Sequence, residues 1–392
     1  MNSDDRTADH GERLACALTG SAQDTHTWHM DHAVRISRRA LGDTAENPPV
    51  GCVIVKEGRV AGTGHTGCGG RPHAETQALA MAGAAARGAD VYVTLEPCAH
   101  HGRTPPCAEA LAEAGVARVF IAMKDPDARV AGRGIEVLKR AGIEVHVGLL
   151  AERAEEVLAG YLARKRRGRP RVTLKLAVSR DGFIAARPGV PTAITGELAR
   201  RRAHLMRAQA DAILVGVQTV IADDPLLTCR LPGLARRSPV RVVLDSRLRI
   251  PKGARLLQTP QAAPTWIATT MAGRAQARAI VADVPHVRIL ALPHDAKGRV
   301  DLPALVKRLA EEGISNLLVE GGAEVARSFV EADLVDAVAL FVARDRVLGG
   351  GVPALAGLPL ARITEVPFAL REELPLGSDI LRLYERKPSA TP

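Results

Sequence analysis

Runs of apolar residues in the first half of the chain alternate with stretches of helical spacing. The segment 50–64 contains two apolar runs on either side of a Lys-Glu-Gly-Arg turn, which predicts a hairpin. Further strands are predicted at 90–95, 118–123 and 143–150, and helices at 30–42, 73–88, 105–114 and 133–141. Because strands alternate with helices, we expect an α/β domain with a mainly parallel sheet covered on both faces.

The second half of the chain carries a similar pattern. Seven apolar runs, several of them separated by helical stretches, predict strands at 171–179, 211–220, 239–246, 263–270, 287–292, 316–322 and 335–343. The segment 151–170 predicts a helix that ends in a basic linker punctuated by Gly and Pro. The pattern therefore predicts a disordered tail at 1–27, a first domain at 28–150, a connecting helix and linker at 151–170, and a second α/β domain at 171–392.

Composition and charge narrow the class of protein only in part. The formal net charge is +10, which permits a nucleic-acid partner, but aromatic residues make up only 3% of the chain. Proteins that bind single strands usually stack bases on aromatic side chains between their basic residues. A phosphorylated small molecule or a dinucleotide requires positive charge equally well, so the charge alone does not choose a partner.

The chain start and the cysteines bear on the compartment. The first residues are polar and acidic, without the apolar stretch of a secretory signal, and no run approaches the roughly 18 apolar residues of a membrane helix. We therefore expect a cytoplasmic protein without a membrane partner. Six cysteines in such a chain are too sparse for a disulfide framework, and a close pair is expected to bind metal or take part in chemistry.

The segments "RPHAETQAL" at 71–79 and "TLEPCAHHGRTPPCAEAL" at 94–111 form a candidate zinc site. His-x-Glu followed by Pro-Cys and a later Cys is the pattern of zinc-dependent nucleobase deaminases. His73, Cys98 and Cys107 supply three ligands and leave one tetrahedral position for water, which is typical of a catalytic zinc. Zinc lowers the pKa of its bound water to about 7, so that hydroxide is available at neutral pH.

Glu75 is the predicted proton carrier of this site. It would take a proton from the water, deliver one to a ring nitrogen and pass one to the departing ammonia. Residues two apart on a helix face different ways, so His73 and Glu75 can act together only where the helix begins. Pro72 and Pro97 favour such an entry geometry.

The same residues also have interpretations that involve no metal and no catalysis. His-x-Glu alone is common, and Cys98 and Cys107 would be inert if they were simply buried small hydrophobic residues. His100 and His101 are possible substitute ligands, although we favour one of them as a substrate contact. The combination of His-x-Glu at a helix start with Pro-Cys at a strand end is more specific than either part, and it favours the zinc site.

The spacing of the cysteines links the chain to a known family. Eight residues separate Cys98 from Cys107, more than in most nucleoside deaminases, and "NPPVGCVIV" at 47–55 and "AMKDPDARVAGRGIEVLKRAGIEV" at 122–145 accompany them. From about residue 28 onwards the chain closely resembles the bifunctional riboflavin-biosynthesis deaminase/reductase. The resemblance implies deamination of 2,5-diamino-6-(5-phosphoribosylamino)pyrimidinone by a cytidine-deaminase-like three-layer α/β/α domain. It also implies four substrate contacts, namely Asn47, His100, Arg103 and Asp125.

The second half resembles the reductase of the same family, a dihydrofolate-reductase-like domain that uses NADPH to convert the ribosyl group into a ribityl chain. The preference for NADPH over NADH rests on this resemblance. It implies that Lys175 is catalytic and that the substrate contacts are Arg207, Leu227, Arg230 and Glu320. It places Ala177, Thr219, Asp223, Ser246 and Gly322 near the cofactor. Independently of the family, a strand that ends in Gly321-Gly322 and leads into a helix is a ready anion site.

Two departures from the family pattern concern possible contacts. Thr66 stands where members often carry His, and Pro191 and Ala193 stand where members usually carry Ser and Trp. The loss of a large ring beside the cofactor could weaken its binding, so a deaminase with an impaired reductase domain is one alternative.

Two further alternatives belong to other classes. A nucleic-acid or tRNA base deaminase with an accessory domain is supported by the basic charge, and a non-catalytic zinc module would leave Glu75 without a role. The favoured reading is a zinc- and NADPH-dependent enzyme that acts on a phosphorylated pyrimidine, binds no nucleic acid and, by resemblance, forms a homo-oligomer.

Overall fold

The computed structural model describes residues 22–100, 105–128, 130–273 and 284–387. The chain divides into two compact units, one made of Met1–Ala40 and Asn47–Leu158 and the other of Leu41–Glu46 and Ala159–Pro392. The division between Leu158 and Ala159 falls within a helix. In the described part of the chain, no helix combines the length and the apolar character needed to cross a bilayer.

The first unit is a five-stranded sheet with helices. Its strands are β1 (Gly51–Lys56), β2 (Arg59–His65), β3 (Asp90–Val93), β4 (Arg118–Ile121) and β5 (Glu144–Val147). Its helices are α1 (Ala22–Ser37), α2 (Ala74–Ala82), α3 (Cys107–Glu113) and α4 (Arg133–Arg140), and α5 (Ala151–Arg167) follows. The strand order is β2-β1-β3-β4-β5, with β1 antiparallel to β2 and β3, and with β3, β4 and β5 parallel. The predicted hairpin and the three later strands are confirmed.

Helix α1 begins earlier than the sequence pattern predicts. The predicted tail at 1–27 overlaps its first residues, and residues 1–21 lie outside the described part of the chain. His26 explains the difference, because its Nδ1 lies 2.7 Å from the hydroxyl of Tyr92 and its ring stacks on Phe120 at a centroid distance of 4.3 Å. These contacts with the sheet come from polar and aromatic residues that an apolar periodicity does not detect.

Glycines allow the helix that carries the first candidate site to lie close to the sheet. A Cβ on Gly64 in β2 would lie 2.1 Å from the carbonyl oxygen of Ala74, the first residue of α2, and one on Gly62 would lie 2.2 Å from that of Ala78. No real Cβ tolerates such distances. Larger residues would push α2, together with the neighbouring His73 and Glu75, away from the strand.

The second unit is built on a nine-stranded sheet. Its strands are β6 (Arg171–Ser179), β8 (Ala212–Gly216), β9 (Val240–Leu244), β10 (Thr265–Thr270), β11 (Val287–Leu292), β12 (Asn316–Val319), β13 (Ala337–Ala343), β15 (Phe368–Leu376) and β16 (Asp379–Arg386), while β7 (Phe183–Ala185) pairs separately with β14 (Val352–Pro353). Its helices are α6 (Glu197–Gln209), α7 (Val217–Asp223), α8 (Arg255–Gln258), α9 (Leu302–Glu311), α10 (Ala323–Glu331) and α11 (Ala361–Thr364).

The strand order of the large sheet is β11-β10-β9-β8-β12-β6-β13-β16-β15, parallel from β11 to β13 and antiparallel beyond. All seven predicted strands are confirmed. Two were predicted at least three residues too long at their carboxyl ends. Residues 217–220 start α7, because a short apolar run does not distinguish a strand from a buried helix, and 320–322 lie beyond the end of β12. The hairpin β15–β16 was not predicted, since most of β15 is exposed and carries no apolar alternation.

Strand β6 separates a core face from a functional face. Leu174 and Leu176 are buried in the main core beside residues of β8, β12 and β13. Lys175 and Ala177 alternate with them and therefore point to the opposite face of the sheet, where Ala177 packs against a buried cluster that includes Ala199 and Ala203 of α6. Because side chains alternate between the two faces of a strand, Lys175 lies on the face of the sheet that α6 covers.

Asp336 connects the start of β6 to the segment before β13. Its carboxylate accepts hydrogen bonds from Arg167 at 2.7 Å, from Arg169 at 2.6 and 2.8 Å, and from the backbone N–H of Val172 at 2.8 Å. Burial tends to raise the pKa of Asp336, but the bonds to Arg169 and Val172 outweigh it and hold the pKa below its usual value.

We predict that Asp336→Ala lowers the free energy of unfolding of the second unit by about 2–3 kcal/mol, because it leaves the two arginines and a backbone N–H without their acceptor. In the unaltered protein the depressed pKa means that this stabilisation is present above the unfolded-state pKa of about 3.9 and is lost as the pH falls through the lower folded-state value. Urea denaturation at neutral and acidic pH measures both effects. Glu331→Ala, which removes an exposed ion pair with Arg327, is the control and should leave the midpoint essentially unchanged; equal midpoints for both variants would contradict the prediction.

Candidate metal centre and second candidate site

Three candidate metal ligands converge from two helix starts and the loop between them. His73 is the N-cap of α2, Cys107 is the first residue of α3, and Cys98 lies in the loop after β3. Ligand atoms of the three side chains all lie within 4.8 Å of one another. Nδ1 of His73 is 3.3 Å from Sγ of Cys107 and 3.6 Å from Sγ of Cys98.

The donor set fits a zinc ion. One imidazole and two thiols at these separations match the three-ligand set of a catalytic zinc. The hydrogen bond from Cys107, with help from His73, lowers the pKa of the Cys98 thiol to about 4, while the same bond and burial raise the pKa of Cys107. The two sulfurs and the imidazole nitrogen thus lie where a divalent cation would bind both cysteines as thiolates.

Glu75 lies beside the three ligands, in the first turn of α2. Its side chain is buried, and this burial, reinforced by the negative charge of Cys98, raises the pKa of the carboxyl to about 7. A carboxyl with this pKa can take up and release a proton near neutral pH, as a general acid–base requires.

The predicted substrate contacts of the first unit can be placed in part. The backbone of Asp125 follows β4, and its Oδ1 accepts a hydrogen bond from the N–H of Asp127 at 2.9 Å. The Nδ1 atom of His100 is buried and has no hydrogen-bond partner among the described residues. Asn47 is half-buried in the segment that leads to β1. Arg103 lies outside the described residues.

The structure gives Thr66 a definite contact. Its hydroxyl accepts a hydrogen bond from the N–H of Val50 at 2.9 Å and donates one to the carbonyl of Pro48 at 2.8 Å. Thr66 therefore fixes the segment that begins with Asn47. Both groups are main-chain atoms, so a sequence pattern does not reveal this contact.

The second candidate site is centred on a buried carboxylate. Glu320, directly after β12, accepts two hydrogen bonds from Arg207 of α6, at 2.8 and 2.9 Å, and lies 3.7 Å from Nζ of Lys175. Burial tends to raise the pKa of Glu320, but the positive charges of Arg207 and Lys175 outweigh it and lower the pKa to about 2. Three residues predicted from distant parts of the sequence therefore form one charged cluster.

Two other predicted substrate contacts lie near this cluster in different environments. Arg230 is exposed, and its backbone nitrogen lies 3.3 Å from Nδ1 of His204. Leu227 has a left-handed backbone with φ of 55°, and its side chain is part of a buried cluster under β8 and β9. A ligand contact from Leu227 would therefore fall to its main chain.

The predicted cofactor residues lie at the carboxyl ends of adjacent parallel strands. Gly322, the N-cap of α10, lies close to Thr219 of α7, whose hydroxyl would be 3.7 Å from a Cβ on the glycine. Asp223 ends α7 and is exposed. Ser246 follows β9, and its hydroxyl accepts a hydrogen bond from the N–H of Val300 at 3.0 Å. Ligands of open parallel sheets bind at this edge.

Two residues near the sites were not singled out from the sequence. His204 of α6 contacts the carbonyl of Thr228 at 3.1 Å, next to Arg207. Glu96 is buried two residues before Cys98 and accepts several backbone hydrogen bonds. Glu96 could have been noticed in the sequence because it is an acidic residue two positions before the ligand Cys98. His204 could have been noticed because it lies three residues before Arg207 and therefore on the same side of a helix.

Comparison with known proteins assigns both halves to described families. Residues 23–123 match the model of the cytidine and deoxycytidylate deaminase zinc-binding region, and residues 170–379 match that of the RibD C-terminal domain. The riboflavin biosynthesis protein RibD of Bacillus amyloliquefaciens is 44% identical over 355 residues, which cover 90% of this chain and 94% of that protein.

Solved structures agree in fold over almost the whole chain. A RibD structure from Acinetobacter baumannii superposes with a TM-score of 0.82 at 36% identity, covering 93% of this chain and 100% of that one. A structure from Thermotoga maritima, described as a diaminohydroxyphosphoribosylaminopyrimidine deaminase/5-amino-6-(5-phosphoribosylamino)uracil reductase, gives a TM-score of 0.80 at 31% identity and covers 93% of this chain and 99% of that one. The expected fold class, a cytidine-deaminase-like domain followed by a dihydrofolate-reductase-like domain, is confirmed. The chain belongs to the RibD family of riboflavin biosynthesis proteins.

Proposed function

We propose that the chain catalyses two steps of riboflavin biosynthesis through the residues described above. The first is hydrolytic deamination of 2,5-diamino-6-(5-phosphoribosylamino)pyrimidin-4(3H)-one. The second is NADPH-dependent reduction of the ribosyl group of the deaminated product to ribityl. The observation that carries the proposal is the convergence of His73, Cys98 and Cys107 beside the buried Glu75. Residues 28–150 are assigned to the deaminase, 151–170 to a helix and linker, and 171–392 to the reductase.

In the first step, the chain holds the metal and moves the protons. His73, Cys98 and Cys107 would hold zinc, which supplies a water that ionises near neutral pH. Glu75 takes up the two protons of the water in turn, delivering the first to the ring nitrogen and the second to the departing amino group, which leaves as ammonia; the raised pKa of its carboxyl permits both transfers. Asn47, His100, Arg103 and Asp125 are assigned to substrate binding, where polar side chains suit a pyrimidine edge and a phosphate.

In the second step, Glu320 organises the charged groups. NADPH, when bound, supplies the hydride. Lys175, whose Nζ lies 3.7 Å from Glu320, can donate the proton to the ring oxygen of the ribosyl group, which is released when its bond to the reduced anomeric carbon breaks. Arg207 and Arg230 bring positive charge for the substrate. Ala177, Thr219, Asp223, Ser246 and Gly322 are assigned to the cofactor.

A small phosphorylated pyrimidine, and no nucleic acid, is the proposed partner. In support, residues of the basic run 163–171 form contacts within the chain, since Arg167 and Arg169 bind Asp336 and Arg171 binds Glu385. A homo-oligomer and a cytoplasmic location, both expected from the sequence, remain part of the proposal; sedimentation tests the former.

We predict one zinc per chain in protein purified without chelator, and loss of that zinc in Cys107→Ser because one of three ligands is removed. Elemental analysis measures the metal. Cys68→Ser changes an exposed cysteine of the same unit and should retain zinc. An absence of zinc from the unaltered protein, or equal zinc in both variants, would contradict the ligand assignment.

We predict that Glu75→Gln keeps its zinc but deaminates about 10²- to 10⁴-fold more slowly, because the amide cannot carry the proton. Ammonia release from the diaminopyrimidine phosphate is the assay. Glu113→Gln, at the exposed end of α3, should be unaffected. Supplied with the deaminated pyrimidine, Glu75→Gln should oxidise NADPH normally, and near-normal ammonia release by this variant would remove Glu75 from the mechanism.

We predict that Lys175→Met abolishes most NADPH oxidation and leaves ammonia release intact, because the ammonium of the second site is lost while the first site is unchanged. Both activities are measured on the same preparation, and Lys307→Met on the exposed face of α9 is the control. Retained reduction by Lys175→Met would exclude Lys175 as proton donor. If the unaltered protein releases ammonia but neither binds nor oxidises NADPH, the replacement of Ser and Trp by Pro191 and Ala193 has cost the second activity.

A further inference from the structure

The buried side chain of Glu96 is surrounded by backbone N–H groups. Its Oε2 accepts from Gly132 at 3.0 Å and from Asp125 at 3.3 Å, and its Oε1 accepts from Gly134 at 3.0 Å and from Ile135 at 3.3 Å. The side chain is 4% exposed. A carboxylate that replaces water by four N–H donors is strongly fixed in position, and it fixes the donors in turn.

The two oxygens have different structural effects. Oε2 accepts from both Asp125 and Gly132 and so joins the segment 125–128 to the segment 130–132. Oε1 binds the first turn of α4, where a negative charge is favourable because the helix N–H groups are otherwise without partners. A Cβ on Gly134 would lie 2.0 Å from the carbonyl oxygen of Pro97, so the segment of Glu96 and the start of α4 are in direct contact.

Glu96 lies between the metal ligands and a predicted substrate contact. It follows β3 and precedes Cys98 by two residues, while Asp125 follows the neighbouring strand β4. Cys98 has other supports, because its carbonyl accepts from the N–H of Ala108 at 3.1 Å and its sulfur accepts from the N–H of Cys107 at 3.3 Å. The position of Cys98 therefore does not depend on the Glu96 carboxylate alone. The backbone groups of Asp125 and Gly132, in contrast, are joined through this carboxylate.

We propose that Glu96 is a positioning residue of the deaminase, which holds the backbone of Asp125 together with that of Gly132 so that Asp125 faces the pyrimidine. This inference rests on the proposed function, because it takes Asp125 as a substrate contact. Glu96 touches neither substrate nor metal in this role. It acts through the main chain of Asp125 and Gly132.

Glu96→Gln tests the proposal, because the amide keeps the size of the side chain but replaces one acceptor by a donor that faces backbone N–H groups. We expect KM for the diaminopyrimidine phosphate to rise by roughly ten- to a hundredfold, the scale on which a displaced binding group acts. The zinc content, the kcat of deamination and NADPH oxidation with supplied deaminated substrate should remain close to those of the unaltered enzyme. A merely structural role would instead lower zinc occupancy and the active fraction, without a selective change in KM.

Two further variants sharpen the test. Glu136→Gln lies on the same helix α4, is exposed, pairs with Arg140 at 3.0 Å and should leave KM unchanged. Asp125→Asn should raise KM, and the double variant Glu96→Gln with Asp125→Asn should be little worse than Asp125→Asn alone, since both changes remove the same contact. Additive effects, or an unchanged KM in Glu96→Gln, would overturn the proposal.

If Glu96→Gln does not fold, the proposal can still be tested by hydrogen exchange on a protein that keeps Glu96. Zinc-loaded Glu75→Gln, which is expected to deaminate the substrate only slowly, serves for this measurement. Hydrogen exchange across 125–135 should slow when the diaminopyrimidine phosphate is added. No change in exchange despite measured binding would overturn the role of Glu96. Failure of the unaltered enzyme to release ammonia would instead count against the proposed function, so the two failures are distinguishable.

Discussion

The close packing of α2 on β2 is the constraint on which the first site depends. Gly62 and Gly64 present no Cβ to the helix, so the carbonyl oxygens of Ala78 and Ala74 lie almost against the strand. This approach brings the N-terminus of α2 to the carboxyl ends of β3 and β4, where the Cys98 loop and the start of α3 also lie. His73 and Glu75, although two residues apart on a helix, can then both face the cysteines. The chemistry thus follows from a helix end rather than from a helix face.

Buried carboxylates organise both units by the same physical means. Glu96, Glu320 and Asp336 each lie in the protein interior and are compensated by several donors, namely backbone N–H groups for the first, arginine and lysine for the second, and both kinds for the third. A buried charge is tolerated only when its hydrogen bonds are complete, so each of these carboxylates specifies the position of the segments around it. Part of the positive charge of the chain is used in this way.

The sequence predicted the local elements and the chemistry of the first site, but not the contacts that run through the main chain. Apolar runs were sufficient to predict the parallel strands, most of which are largely buried, as β8 is throughout its length. They failed for β15, which is exposed, and for the start of α1, where His26 makes the contacts. The motif residues His73, Cys98 and Cys107 carry their function in their side chains and could be recognised. Thr66 and Glu96 act on backbone groups, and Leu227 buries its side chain, so residue identity alone did not reveal their surroundings.

The two sites differ in whether their carboxyl group changes its protonation state near neutral pH. At the first, burial raises the pKa of the Glu75 carboxyl to about 7, so this group can take up and release a proton near neutral pH. At the second, the pKa of Glu320 is about 2 because Arg207 and Lys175 are nearby, so its carboxylate stays ionised near neutral pH. A hydrolytic step that moves several protons requires the first arrangement. A hydride transfer requires one proton and a fixed field. The second arrangement supplies the field, because the ionised carboxylate holds the basic side chains of Lys175 and Arg207 beside it.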